Sequence, residues 1–437
     1  MEPAHSGHKT KRRILHCIGT GYSSSPLADT ELGEICTVVD HETCPDPSRH
    51  IWDSPADLCG NDSGSPVLYL FSILRRPGSA SILRNFPSPP LTTNMREPPP
   101  SRLVYLDNFR GLAIAMVVAT HALGYSHLDQ ESEQLLGFLS RTIAVPVFFL
   151  VDGILFALGH QELAAFNYAA YVRKSARRLL LPWVVFTVFY CALRIPFEYI
   201  DSSSAHVVYG QTWQEVALAA YLSSFSSQMY FLLSLFLIRA FSKVTYHVIH
   251  ARPPHRTVTA LVYIAIFHTA PIQPWFHPGL DPVYHALWGM QFYLVGLALQ
   301  PFTPLWMAQG RWLSGTAIAL GFLIASFFQG MALYSQFLLL LGCYLLFISN
   351  PTRFQFLSSL GRRSMGIYLV HIPLIMKIFS LLLARVLSPT SPMFFVVLST
   401  ATLYASAFLT SIILQHPYGR TILGEPLNSS SSVGSKR

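Results

Sequence analysis

From about residue 103 to about residue 416 the chain returns again and again to apolar stretches of about 15 to 23 residues. Each is long enough to cross the hydrocarbon core of a bilayer as a helix. The composition agrees: 51% of the 437 residues are hydrophobic and 12% are charged, whereas an ordinary soluble domain carries about 25% charged residues. The chain is expected to be an all-α integral membrane protein, with the lipid bilayer as its surroundings.

About ten membrane helices are expected, near 105–125, 141–160, 179–196, 226–243, 257–271, 283–302, 312–329, 331–349, 364–386 and 394–415. The positive-inside rule, which weighs Lys and Arg close to membrane ends, orients them. Arg173, Lys174, Arg177 and Arg178 follow the second helix, and Arg239, Lys243, Arg252 and Arg256 follow the fourth. Arg311 follows the sixth, and Arg353, Arg362 and Arg363 follow the eighth. The opposite loops hold Arg141, Arg194 and Arg385 beside several acidic residues, among them Asp129, Glu131, Glu133 and Asp281. This asymmetry predicts an even number of helices with both termini in the cytosol. No internal repeat is evident, which speaks against an inverted-repeat transporter.

Residues 1 to about 100 have no long apolar run and end in the proline-rich FPSPPLTTNMREPPPSR, the composition of a disordered region. No signal peptide is expected, because nothing near the start joins a charged region to about 7 to 15 apolar residues. The membrane domain is expected over 101–420, and 421–437, ending in NSSSSVGSKR, as a disordered tail. Four of the six cysteines (Cys17, Cys36, Cys44 and Cys59) lie in the first 60 residues, but without a CxxC pair. Their irregular spacing is not that of a zinc site, and no metal is expected. The net charge of +8 is spread between apolar stretches instead of forming one stripe, so nucleic acid is not an expected partner.

The first apolar stretch, RLVYLDNFRGLAIAMVVATHALGY, contains Asp107, Arg110 and His121. Charges in a membrane span are expensive, and they mark protein interiors, wet cavities and functional sites. Arg110 and His121 are eleven residues apart, close to three turns, so they share a helix face at about 16 Å along the axis. Asp107 lies one turn before Arg110, near the same face. That arrangement suits an anionic cytosolic cosubstrate held by Arg110 and a proton removed farther in by His121. The structural alternative has Arg110 snorkelling to headgroups, Asp107 pairing with it and His121 hydrogen-bonding a neighbouring helix.

LDNFRGLAIAMVVATH resembles the opening helix of acyltransferase family 3, with its LD, its RG and a histidine eleven residues after the arginine. VPVFFLVDGILFALG is similar to that family's FF-x-x-SG segment, and YVRKSARRLLLPWVVF to its basic loop with R-x-x-x-R and a proline. QMYFLLSLFLIRAF resembles the family's WFL helix, and LGRRSMGIYLVHIPLI its late YL-x-H-x-P segment. The likeness runs over about residues 102–416, in order, and the wording of VPVFFL and RRLLLPW is closest to the branch that includes glucan-modifying enzymes. The long N-terminal stretch and lone-domain layout lean toward a fungal member acting in secondary metabolism, in the endoplasmic reticulum or plasma membrane.

The resemblance implies an O-acyltransferase that moves an acyl group, acetyl foremost, from acyl-CoA to a hydroxyl of a carbohydrate or lipophilic metabolite. His121 is then the general base, a role that suits neutral imidazole, with Arg110 and Asp152 beside it. Arg173, Arg177, Arg178 and His371 would hold the acyl-CoA cosubstrate, and no permanently bound cofactor is implied. Two positions depart from the pattern: Asp152 stands in place of a serine and Tyr230 in place of a tryptophan. Asp152 would orient His121, pair with Arg110 or position substrate; otherwise the departure marks a noncatalytic relative. A proton-coupled transporter with Asp107, Arg110 and His121 as its relay is the other alternative.

Overall fold

The computed structural model of the protein describes residues 103–160, 166–200, 207–270, 280–327 and 332–425. The N-terminal region to residue 100, its four cysteines, and the tail from 426 lie outside the described residues. Among the described residues the regular structure is helical, with no strand. The long or central helices are α1 (Val104–Leu123), α2 (Gln130–Gly159) and α3 (Tyr168–Ile200), followed by the short α4 (Trp213–Tyr221). Next come α5 (Tyr230–Ala240), α6 (Ser242–His250), α7 (Pro253–Thr269), α8 (Asp281–Leu299), α9 (Thr303–Phe327) and α10 (Ala332–Ser349). The C-terminal part comprises α11 (Gln355–Arg362), α12 (Ser364–Val370), α13 (Met376–Leu383), α14 (Pro392–Ile413) and α15 (Pro417–Ile422).

Local sequence explains several boundaries. Asp129 caps α2 by accepting the Ser132 N–H at 2.9 Å, and Thr212 and Glu215 form a reciprocal capping box at the start of α4, satisfying N–H groups the helix leaves open. In the last turn of α3, the Glu198 carboxylate accepts the backbone N–H groups of Val207, Val208 and Tyr209 and the Arg194 Nε–H. Burial pushes this carboxyl up, but the three N–H donors and the guanidinium together outweigh it and hold it down at about 2.

Among the described residues four helical segments are long and apolar enough to cross a bilayer: Gln130–Gly159, Tyr168–Pro196, Ser364–Leu383 and Pro392–Ile413. The pair Ser227–Ala240 and Ser242–His250, bent by 57°, forms a fifth if taken together. That is fewer than the ten expected from apolar runs. Helix α1 does not qualify, because Asp107, Asn108, Arg110 and His121 dilute its apolarity, and in α9 and α10 the apolar helical stretches, Trp312–Ile324 and Leu333–Ser349, are short. The outward faces still read as lipid-facing: Val188 on α3, Leu261 on α7 and Phe408 on α14 are 60% or more exposed. Such apolar exposure on helix after helix marks an interaction surface, here a membrane.

The polar helix α1 lies at the centre, packed against α2, α10, α11, α12 and α14. Leu106, Phe109, Ala113, Ile114, Val117 and Val118 are buried along it, and the Asn108 Nδ2–H donates to the Pro351 carbonyl at 2.8 Å. Two glycines let α1 and α11 touch backbone to backbone. A Cβ on Gly111 would stand 1.9 Å from the Leu357 carbonyl oxygen, and one on Gly361 would stand 1.8 Å from that of Asp107. Small residues allow this close approach where apolar association gains nothing from water. Gly153 of α2 and Gly296 of α8 join those helices in the same way, against the carbonyls of Tyr293 and Leu150.

Candidate active site

The contact of α1 with α11 fixes the start of α1 at the wall of a cavity of about 480 Å³, within the range of small-molecule sites. Asp107 and Arg110 enter it from α1, Asp152 from the last turns of α2, Arg178 from the first turns of α3 and Arg239 from the last turn of α5. Arg362 at the end of α11 and Arg420 of α15 complete the charged lining, with Glu425 at its edge. Phe148, Leu179, Phe231, Leu235 and Met365 supply apolar wall. Five guanidinium groups face three carboxylates, so the cavity is net cationic.

Most of these arginines are already engaged. Arg239 grips Asp152 with two parallel bonds, Nε to Oδ2 at 3.0 Å and Nη2 to Oδ1, the bidentate geometry that guanidinium and carboxylate share. Arg178 Nε donates to the Gly424 carbonyl at 3.3 Å, Arg420 Nε to that of Leu414 at 2.9 Å, and Arg362 Nη1 to Ser358 Oγ at 3.0 Å. Arg110 feels both Asp152 and Asp107 electrostatically but makes no hydrogen bond to a described residue. It is the guanidinium in this cavity held mainly by field and not by direct bonds.

His121 does not line the cavity. Three turns along α1, its ring stands 5.3 Å from that of His371, centroid to centroid. His371 is fully buried where the helix breaks between α12 and α13: Ile372 leaves helical geometry (φ −123°, ψ 151°) inside a wide turn over His371–Ile375. The Nδ1 of His371 lies 2.8 Å from the carbonyl oxygen of Tyr368 and 3.2 Å from that of Ile367.

Tyr368 joins the two places. It lines the cavity, its ring centroid is 6.0 Å from that of His371, and its hydroxyl donates to the Gln228 carbonyl. The Gln228 Nε2–H donates in turn to the carbonyl of Ile372 at 3.0 Å, and the Tyr190 hydroxyl donates to that of Leu369. Side chains from α3 and from the turn before α5 thus fix the broken helix. Tyr230, the residue in place of a tryptophan, packs against His285 of α8, with ring centroids 4.4 Å apart and the planes tilted by 37°.

Of the residues singled out from sequence, the structure brings Arg110, Asp152 and Arg178 into one cavity and places His121 with His371 outside it. Arg173 and Arg177 are exposed on α3 and do not line the cavity. They lie one turn apart on one stripe, while Ser175 and Leu179 face inward; Arg178, exposed like Arg173 and Arg177, sits beside Leu179 at the edge of the inward face and borders the cavity. Asp152 pairs with Arg239, not with Arg110 or His121. In the sequence Arg239 and Arg362 read as topology signals, and Arg420 does not stand out. Their one available sign was their place at helix ends, which orientation alone would explain. Among the described residues no three His, Cys, Asp or Glu side chains gather as a metal centre would require.

A helical body with lipid-facing apolar surfaces, built around a cationic cavity and a pair of histidines of which His371 is fully buried, defines a membrane protein with a polar interior site. Acyltransferase family 3, described as an acyltransferase domain, matches residues 103–411. The chain belongs to this family and is a membrane acyltransferase. No curated protein and no solved structure matches it.

Proposed function

We infer that the protein transfers an acyl group, acetyl foremost, from acyl-CoA to a hydroxyl of a carbohydrate or a lipophilic metabolite, with His121 as general base. The observation that carries this reading is the cationic cavity at the head of the helix that bears His121. Phosphates are well matched by guanidinium groups, and Arg110, Arg178, Arg362 and Arg420 supply several around one volume. The apolar wall suits the pantetheine arm, and Tyr368 marks the direction from the cavity toward His121.

In the proposed reaction His121 takes the proton of the acceptor hydroxyl while the oxygen attacks the thioester carbonyl. The C–O bond forms, the C–S bond breaks, and the departing thiolate recovers the proton from His121. The developing oxyanion requires donors, for which the Tyr368 hydroxyl, released from the Gln228 carbonyl, is a candidate on the cavity wall. Asp152 serves here as the counter-ion of Arg239, so replacing a serine with aspartate is matched by a cation on α5 instead of being left as a lone buried charge.

Orientation follows from the same cavity. It is lined by the start of α1, the end of α2, the start of α3 and the end of α5, all of which the positive-inside rule assigns to the cytosol, where acyl-CoA is available. A ten-span arrangement with both termini cytosolic, in the endoplasmic reticulum or plasma membrane, is consistent with that placement.

The test uses the purified full chain in detergent with acetyl-CoA and a solubilised membrane extract as the acceptor pool. Release of free CoA, with gain of one acyl group by a component of the extract, is expected. Vesicles that accumulate labelled substrate without any CoA release would replace this reading with a transporter.

A further inference from the structure

The histidine pair contains a second residue whose role follows from its hydrogen bonds. His371 Nδ1 faces two backbone carbonyl oxygens, of Tyr368 at 2.8 Å and Ile367 at 3.2 Å. Carbonyl oxygens only accept, so Nδ1 must carry the proton, and a neutral ring then leaves Nε2 as a bare lone pair. That Nε2 is buried and has no hydrogen-bond partner. A buried acceptor without a donor is costly and calls for an explanation. The ring it belongs to is the one that stands against His121, at 5.3 Å and a tilt of 52°.

The geometry points to His371 as the positioning residue of His121: the structure as it stands leaves the Nε2 lone pair unpartnered beside the His121 ring, and a small shift of either ring lets it accept the N–H of His121, which fixes the tautomer of His121 and leaves the other His121 nitrogen unprotonated to act as base. This rests on the reading of His121 as the general base. No bond is made or broken at His371. When His121 takes up the substrate proton, its far N–H is already held by His371, so the imidazolium forms without turning, much as an orienting group fixes a catalytic imidazole in other acid–base sites.

The surroundings of His371 favour this neutral, fixed state. From α1 it meets His121; on its own segment Tyr368 stands 6.0 Å away; Gln228 reaches the neighbouring Ile372 carbonyl. Among the described residues no carboxylate or guanidinium hydrogen-bonds or ion-pairs with the ring. The three ties to the broken helix, from Tyr190, Tyr368 and Gln228, hold the Nδ1 acceptors in place. His371 is therefore assigned to His121 and not to the phosphates of the cosubstrate.

Two measurements test this. In the full chain labelled with 15N-histidine and held in lipid nanodiscs, two-bond proton–nitrogen spectra report the tautomer of each ring, with His121→Gln and His371→Gln used for assignment. His371 is expected protonated on Nδ1, and His121 is expected as a single tautomer that becomes a mixture in His371→Phe. Protonation of His371 on Nε2, or a His121 signal that His371→Phe leaves unchanged, overturns the proposal.

The second measurement is CoA release from acetyl-CoA with the solubilised extract. His371→Phe should lower kcat by about tenfold or more, within the range that general acid–base groups contribute, and leave the KM for acetyl-CoA within about twofold. His371→Gln, which can both donate to the carbonyls and accept from His121, should restore most of the rate. A rise in KM with unchanged kcat would instead place His371 in cosubstrate binding. If His121→Ala keeps full turnover, the general-base reading has failed, and that outcome is separate from loss of the tautomer coupling in the spectra.

Discussion

The two ends of α1 are built on opposite principles. At Arg110 the helix opens into a cavity where five arginines and three acidic residues from six helices and the C-terminal segment balance one another through a bidentate pair, backbone carbonyls and long-range field. At His121 no ion pair is formed among the described residues: the ring, half-buried, meets the imidazole of the fully buried His371. The contrast separates two tasks. Grip on an anion calls for cations near water, where the cost of holding them is shared with carboxylates. Proton transfer calls for a neutral base kept from forming ion pairs.

The largest effect should come from breaking the joint that places both ends. In Gly361→Val the added side chain would meet the Asp107 carbonyl at 1.8 Å or less, with backbone on both sides and nothing flexible to yield. No folded monodisperse protein is expected on gel filtration in detergent, while Gly159→Val, which meets nothing within 4 Å, should behave as wild type. A folded Gly361→Val would show that the α1–α11 contact is looser than described.

His121→Ala removes the base without touching the cavity. Turnover should fall by about 10²- to 10⁴-fold, with an unchanged melting profile and unchanged binding of acetyl-CoA. Comparable losses of turnover and cosubstrate binding would merge the two ends that the structure separates.

At the cavity end, Asp152→Ser strands Arg239, whose side chain is only 16% exposed. Breaking a buried pair costs about 3–5 kcal/mol, and the double change Asp152→Ser with Arg239→Leu should recover most of it in thermal unfolding. If Asp152→Ser alone is neutral, the pair does not matter to stability and Asp152 acts directly on substrate.

Arg110→Ala should weaken acetyl-CoA binding by about 10- to 100-fold, the loss of one or two charge-assisted hydrogen bonds. Arg173→Ala, on the exposed stripe, should stay within about twofold. The KM should also rise with salt, since exposed charges are screened, while kcat holds. Equal effects of Arg110→Ala and Arg173→Ala on KM would return the grip to the basic loop.

Much of the body was legible from periodicity and cost. Apolar runs gave helices at each expected place, and the expense of Asp107, Arg110 and His121 within one of them pointed to the helix that proves central. The number of spans was less legible, because an apolar run does not say whether a helix crosses, bends as α5 and α6 do, or carries polar residues that only a protein interior can shelter.

What the sequence determined by itself was the helical class, the membrane setting and the eleven-residue interval between Arg110 and His121, because these depend on composition and on helical rise within one segment. The tertiary structure decided who meets whom. Arg178 and not Arg173 reaches the cavity because of the face on which α3 packs. Arg239 claims Asp152 across 87 positions, and His371 comes to His121 from far along the chain, beyond α2 to α12. Such encounters depend on where glycines let backbones touch and where a helix breaks, and no spacing along the chain encodes them.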